Sequence, residues 1–312
     1  MNYEKILSDL QSQLNKIYVG KPLIIEEILT TLLAGGHLLL EDVPGVGKTT
    51  LAKALAGSLS CTFGRIQFTP DTLPGDILGV TVYHMQKGEF VYQKGVLDKQ
   101  IILADEINRT SPKTQSSLLE AMEEGQITVD GNTYPLHQPF MVIATQNPIE
   151  YMGTYPLPEA QLDRFLMCIS LGYPTFEEEK RLARQFLDGT TVNQLDAITD
   201  GDTICEMREA VKKITVSDVI LDYVIAITEA LREEGRVALG PSPRAVLALI
   251  RACQSYAFLK NREYVLPDDV KRLIRPVYGH RIQVHGEIQG KKELACGVLQ
   301  DIMERIPVPI KL

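Results

Sequence analysis

HLLLEDVPGVGKTT, residues 37–50, decides how the rest of the chain is read. HLLLE at 37–41 is a short apolar run that reads as a buried strand, and a glycine-rich turn follows at once. TTLAKALAGSLS at 49–60 then combines strong helix formers with Leu51, Ala54, Leu55 and Leu59 on one face. Strand, glycine loop and helix in succession are the setting of the phosphate loop GxxxxGK[ST], in which successive backbone N–H groups cradle phosphate oxygens at a helix N-terminus. The candidate loop comprises Asp42, Val43, Pro44, Gly45, Val46, Gly47, Lys48, Thr49 and Thr50. Lys48 is expected to reach the β- and γ-phosphates of ATP, and the Thr49 hydroxyl to ligate Mg²⁺. A chance glycine turn before a helix is the competing reading, and it loses weight because strand and helix both stand where the loop needs them. One position departs from the pattern: Asp42 replaces a glycine. Asp tolerates left-handed and turn conformations better than most residues, so the loop is still expected to form.

Outward from this stretch, QIILADE at 100–106, FMVIATQNP at 140–148 and RFLMCISL at 164–171 read as further buried strands. Helical patterns between them, notably SPKTQSSLLEAMEEG at 111–125, imply crossover connections and a parallel sheet covered on both faces. Apolar residues at helical spacing also mark 2–16 and 22–34. Two hairpin-like inserts interrupt the alternation, TVYHMQKGEFVYQKG at 81–95 turning at Lys87-Gly88, and QITVDGNTYPL at 126–136 turning at Asp130-Gly131. Thr175 with Glu178 forms a capping box behind Pro174. The segment around 188–203 is polar and rich in Gly, Thr and Asp, and the apolar patterns after it are helical through about residue 276. The expected organisation is an α/β core over 1–188, a linker over 189–203 and an all-α domain over 204–312.

Composition fits that picture. A chain of 312 residues exceeds what one hydrophobic core usually organises. With 45% hydrophobic and 23% charged residues, disorder and collagen-like structure are excluded. The five cysteines are far apart with no CxxC pair, which indicates neither a structural zinc nor a disulfide framework. His280 and His285 lack a metal-ligand spacing and accompanying acids. The net charge of -8 disfavours nucleic acid as a partner, though a local basic groove stays compatible with it. MNYEKILSDL carries acids where a secretory signal would be basic, and no apolar run approaches the length of a membrane span, so a cytoplasmic protein without membrane insertion is expected.

A phosphate loop holding ATP needs a carboxylate for the magnesium water shell and a base to aim the attacking water. Asp105 and Glu106 stand at the C-terminal end of a buried strand, where open α/β sheets bind ligands, and adjacent residues project differently enough to divide those roles. A merely solvated strand end is the alternative. In order along the chain, the phosphate loop, ILADEINR at 102–109, PKTQSSLLEAMEEGQIT at 112–128, ATQNPIEY at 144–151, GTYPLPEAQLDRF at 153–165 and GPSPRA at 240–245 resemble the MoxR family of AAA+ ATPases. The likeness spans roughly residues 15 to 280 and departs at Thr110 and Ser111, which puts nothing catalytic in doubt.

The resemblance implies a P-loop AAA+ core with a helical lid. It matches Asn147 to the sensor-one amide that holds the attacking water. It matches Arg164 to the arginine finger that a neighbouring subunit supplies, where the alternative is a surface ion pair with Asp163 or Glu159. Arg244 matches the sensor-two arginine, in its own subunit or the neighbour's, and Arg109 is a weaker candidate for an intersubunit contact. Val19 and Gly20 match the adenine-side segment. The two hairpins match inserts that face a central pore, so Tyr83, Phe90 and Tyr92 either grip a partner or pair across strands. A homo-oligomeric ring, expected to be a hexamer, and chaperone-like action on partners with von Willebrand factor A domains are also implied. A nucleic-acid motor, a binding switch without useful hydrolysis and the ATPase subunit of a metal chelatase stay open as rivals.

Overall fold

Alternate side chains of the apolar runs enter two different cores. Leu38, Leu40, Ile101, Leu103, Met141 and Ile143 join one buried cluster, whereas Leu39, Ile102, Ala104, Val142 and Ala144 join the other. That is the signature of strands buried on both faces. The computed structural model describes residues 2–43, 45–86, 88–147, 153–188, 195–286 and 291–309. Pro44, Lys87, residues 148–151 of ATQNPIEY and residues 189–194 of the expected linker lie outside the described residues.

The chain opens with α1 (Tyr3–Ile17), α2 (Pro22–Leu33), β1 (Leu38–Glu41), α3 (Lys48–Ser58), β2 (Phe63–Gln67) and α4 (Pro74–Leu78). The first hairpin, β3 (Gly79–His84) and β4 (Glu89–Lys94), leads to β5 (Ile101–Asp105) and α5 (Pro112–Glu124). A second hairpin, β6 (Gln126–Val129) and β7 (Asn132–Pro135), precedes β8 (Met141–Gln146), α6 (Glu159–Leu162), β9 (Met167–Ile169) and α7 (Phe176–Leu187). The five-stranded sheet has the order β2-β5-β8-β1-β9, and every neighbouring pair is parallel. Edge strand β2 escaped the sequence reading because FGRIQ has little apolar content and only Gly64 is buried. α1, α2 and α3 cover one face of the sheet, and α5 covers the other.

Local signals hold where they were local. Ser111 accepts from the Thr114 amide and Pro112 opens α5, while Gly125, at φ 64°, stops it. Thr175 and Glu178 bond reciprocally at the start of α7. Asp130 and Gly131 both have positive φ, as the tightest hairpin turn demands. In the first hairpin the three aromatics divide. Tyr83 and Phe90 pair across the strands with ring centroids 5.3 Å apart and are 54% and 74% exposed. Tyr92 instead stacks on Tyr134 of the second hairpin, centroids 4.5 Å apart, and its hydroxyl donates to the Leu78 carbonyl. Tyr92 is thus a strut between the inserts, and only Tyr83 and Phe90 are presented outward.

The lid comprises α8 (Gly201–Val211), α9 (Asp218–Glu233), β10 (Val237–Leu239), α10 (Pro243–Leu259), α11 (Pro267–Tyr278), β11 (Gln283–Val284) and α12 (Lys291–Arg305). Its first helix begins inside the expected linker, because Asp200 accepts from the Thr203 amide at 2.8 Å and caps it there. The lid is helical with one short antiparallel ladder, β10 with β11. It packs on the C-terminal end of α2. There Ser255 donates to the Thr30 carbonyl (2.6 Å), Arg208 to Leu32 (2.9 Å) and Arg251 to Ala34 (2.7 Å). Donors, and cations above all, are favoured at that negative end of a helix. Three residues beyond Ala34, at the start of β1, His37 is buried, its Nδ1 accepting from the Val142 amide and its Nε2 donating to the Met122 carbonyl, both at 3.0 Å. Burial lowers its pKa to about 4, so the ring is a neutral spacer between β1, β8 and α5. No helix among the described residues is long and apolar enough to cross a membrane.

Candidate nucleotide site

Three segments meet above the C-terminal edge of the sheet: the loop after β1, the end of β5 and the end of β8. Glu41 pairs in register with Gln146, and Ala104 with Ala144, so the residues that follow these strands stand side by side. In the loop, Gly45 and Gly47 have φ of 90° and 91°, a region that side chains with a Cβ rarely adopt. Gly47 is also the N-cap of α3, whose first amides are left for a ligand. Lys48 is half-buried, and its Nζ donates to the Asp42 carbonyl at 2.9 Å. Burial lowers its pKa, while the carboxylates of Asp42, Asp105 and Glu106 act in the opposite direction.

Asp42 does a different job from the one expected. It is not among the residues with positive φ, so turn tolerance is not why it stands there. Its buried carboxylate accepts from Ser170 Oγ (2.8 Å), the Leu171 amide (2.6 Å) and the Gly172 amide (3.0 Å). The first loop residue is therefore tied to the chain that leaves β9, three bonds that a glycine could not make.

The two acids after β5 diverge, as their proposed division of roles requires. Asp105 is buried, with Oδ2 accepting from Arg65 Nε at 2.8 Å and Oδ1 from Thr145 Oγ1 at 3.3 Å. Glu106 has left-handed backbone, φ 58° and ψ 49°. For a residue with a Cβ that conformation costs roughly 1–2 kcal/mol. It is held by the Glu106 amide donating to the same Thr145 Oγ1 at 2.9 Å, and the Arg109 amide donating to the Glu106 carbonyl at 2.9 Å. One threonine hydroxyl thus orients both acids. Arg109 Nε also pairs with Glu106 Oε2 at 2.8 Å, which makes it a partner of this acid within the same chain.

A cleft of about 410 Å³ is lined by Asp42, Gly45, Gly47, Lys48, Thr49, Thr50, Arg65, Gln67, Asp105, Glu106, Thr145 and Asn147. A second, of about 520 Å³, is lined by Tyr18, Val19, Gly20, Gly45, Val46, Gly47, Thr50, residues 171–174 and the inner face of α7. The two share Gly45, Gly47 and Thr50. The loop therefore separates a polar compartment holding the acids from a less polar one beside Val19 and Gly20. Tyr18 lies so close over Gly20 that a Cβ there would sit 2.5 Å from its ring. Burial raises the Tyr18 hydroxyl to about 12, with the Asp42 and Glu178 charges adding to the effect. Of the sequence-predicted residues only Pro44 lies outside the described set, and Val43 lines neither cleft.

Arg164 and Arg244 are not brought to this site. Both reach Glu123 near the end of α5, Arg164 Nη2 standing 3.2 Å from Oε2, and Arg244 Nη2 bonding Oε1. The anticipated local partners of Arg164 are engaged elsewhere, Asp163 with Arg281 and Glu159 with Gln283. Thr145, Arg65, Tyr18 and Glu123 were missed by sequence reasoning. Signals were nonetheless present for three of them: Thr145 stands two residues before Asn147, Tyr18 directly precedes Val19, and Glu123 lies within the quoted stretch 112–128.

Residues 37–167 match the family described as ATPase family associated with various cellular activities (AAA), and residues 229–302 match the AAA lid domain. The uncharacterized protein YeaC of Bacillus subtilis is 46% identical over 98% of this chain and 96% of its own. Chaperone MoxR1 of Mycobacterium tuberculosis is 42% identical over 86% of this chain and 74% of its own. Protein MoxR of Paracoccus denitrificans is 31% identical over 96% of each. A crystal structure of an ATPase-type protein from Cytophaga hutchinsonii superposes with a TM-score of 0.90 at 37% identity, covering 98% of this chain and 96% of that one. On these relatives and this architecture, the chain belongs to the MoxR family of AAA+ ATPases.

Proposed function

We propose that the protein hydrolyses ATP with Mg²⁺ in a ring of its own copies, a hexamer, and uses the movement of lid against core to remodel a protein partner. The observation that carries this reading is that Lys48, Thr49, Asp105, Glu106 and Asn147 line one cleft while Arg164 and Arg244 stand outside it on a shared carboxylate. Such a site has its binder, base and water-holding amide, and takes its remaining cations from a neighbour.

The residues fit both groups. The Thr49 hydroxyl and the Asp105 carboxylate are hard oxygen donors on one cleft, as Mg²⁺ requires. When bound, the ion supplies neutralisation of charge on the β- and γ-phosphate oxygens. Asp105, which pairs with Arg65 here, would hold the ion's water shell. Lys48 holds the phosphates, the α3 N-terminus and the glycine amides cradle them, and the backbone at Val19 and Gly20 receives the adenine. Glu106 accepts the proton of the attacking water, and Asn147 holds that water. Arg164 enters from the neighbouring copy, and its sharing of Glu123 with Arg244 supports the same direction for Arg244.

Lys48→Ala is expected to abolish nucleotide binding, since it removes the loop's one side-chain cation; wild-type ATP affinity in a binding assay would overturn the assignment. A protein partner is supported by the chaperone name of the Mycobacterium tuberculosis relative, and we take a von Willebrand factor A domain as its recognised feature. Five free cysteines accord with a reducing, cytoplasmic setting. For the first hairpin, outward Tyr83 and Phe90 support a gripping role. Phe90→Ala is expected to leave the thermal melt unchanged. Tyr92→Ala, which loses a stack and a hydrogen bond, is expected to cost roughly 1–3 kcal/mol. A melt in which Phe90→Ala falls as far as Tyr92→Ala would remove Phe90 from the gripping surface.

A further inference from the structure

The short run that carries Arg164 is held by the lid as much as by the core. From the core, the Leu166 amide donates to the His37 carbonyl at 2.8 Å, and the Phe165 ring is buried in the α5-side cluster. From the lid comes Arg281, in the turn after α11, whose side chain is 3% exposed. A guanidinium has five N–H groups. Here Nε donates to Asp163 Oδ1 (2.6 Å), Nη2 to the carbonyls of Asp163 (3.1 Å) and Phe165 (2.6 Å), and Nη1 to the carbonyls of Leu166 (3.0 Å) and Val277. Each donor has an acceptor, and four of the five acceptors belong to residues 163–166. A second lid element converges on the same carboxylate: Ser242, the N-cap of α10, donates to Asp163 Oδ2 at 3.0 Å. Asp163 immediately precedes Arg164, and Ser242 stands two residues before Arg244.

We infer that Arg281 and Asp163 are positioning residues for Arg164, through which the lid of one subunit sets how its arginine reaches the neighbouring subunit's ATP. The inference rests on the reading of Arg164 as acting in the neighbour's site. Its physical basis is the fork. Planar, rigid and buried, Arg281 fixes the backbone on both sides of Arg164 in direction as well as in distance, which a single ammonium or a lone salt bridge cannot do. Bonded on both oxygens from two lid elements, Asp163 stays in register only when α10 and the turn after α11 keep their places. A catalytic cation held this way loses effect steeply, a misplacement near 1 Å costing roughly 10²-fold in rate.

The test is Asp163→Ala in the full-length protein, with Asp163→Asn alongside; if the alanine variant melts before it can be assayed, the isosteric asparagine carries the test. The expected result is a fall in kcat of roughly 10²-fold for Asp163→Ala, and a smaller fall for Asp163→Asn, with ATP affinity unchanged. Mixing either variant with Glu106→Gln subunits should then restore part of the turnover, because some interfaces pair an intact donor with an intact base. A merely structural defect in the variant's own site would gain nothing from the mixture. Unchanged kcat in the folded variants overturns the inference. So does a loss that mixing leaves in place while Arg164→Ala, mixed in the same way, recovers; that pattern spares the reading of Arg164. If Arg164→Ala itself fails to recover despite demonstrated subunit exchange, the neighbour reading falls, and the inference falls with it.

Discussion

Arg164→Ala is expected to lower ATP turnover by roughly 10³ to 10⁵-fold, the range over which arginine fingers act in phosphoryl transfer, while ATP binding stays near wild type. The asymmetry follows from where the side chain stands. Arg164 lines neither compartment of its own nucleotide cleft, so its removal takes nothing from the groups that bind ATP in that chain. Its contact with Glu123, at 3.2 Å between partly exposed groups, belongs to a class of ion pair worth roughly 0–1 kcal/mol. Such a pair is readily traded for a γ-phosphate carrying more charge in a drier site. Binding and turnover measured on the same preparation check the prediction; a parallel loss of both would mean that Arg164 supports binding in its own chain.

Glu106→Gln is expected to keep nucleotide affinity and to lose turnover by roughly 10² to 10⁴-fold, the usual worth of a positioned general base. Glutamine matches the side chain in shape, and Thr145 would still accept from the backbone amide, so the left-handed turn survives. What disappears is the proton acceptor, along with the charge that Arg109 faces. A single-turnover measurement separates chemistry from product release, and full hydrolysis in this variant would place the base on another residue.

What could be read in the sequence, and what could not, divides by distance along the chain. The central strands were legible because Leu38–Leu40, Ile101–Ala104 and Met141–Ala144 are continuous apolar runs, a demand of burial on two faces. The Thr175–Glu178 box and the Asp130-Gly131 turn were legible because each closes within three residues. Edge strand β2 has no such pattern, and with it Arg65 went unseen beside Asp105. Asp42 was recognised as a departure but given the wrong reason, since its partners Ser170, Leu171 and Gly172 lie far down the chain. Arg281 falls outside the quoted motifs, and Glu123, though inside the 112–128 stretch, carried no role there. Their significance comes from what the fold brings to them.

The double bonding of Asp163 has a consequence in the thermodynamics of an assembly. A tie between lid and finger segment has no preferred direction: whatever free energy lid closure contributes to seating Arg164 next door, the seating of Arg164 returns to lid closure by the same factor. On the proposed reading of Arg164, a subunit whose arginine has found a neighbour's triphosphate would therefore be biased toward its own closed lid before anything has happened in its own cleft. In the ring proposed above, that bias would pass around one way, because each copy would offer its arginine on one side and its cleft on the other. Order of firing among identical subunits of such a ring would then need no additional messenger beyond a buried guanidinium and the carboxylate it shares with a serine.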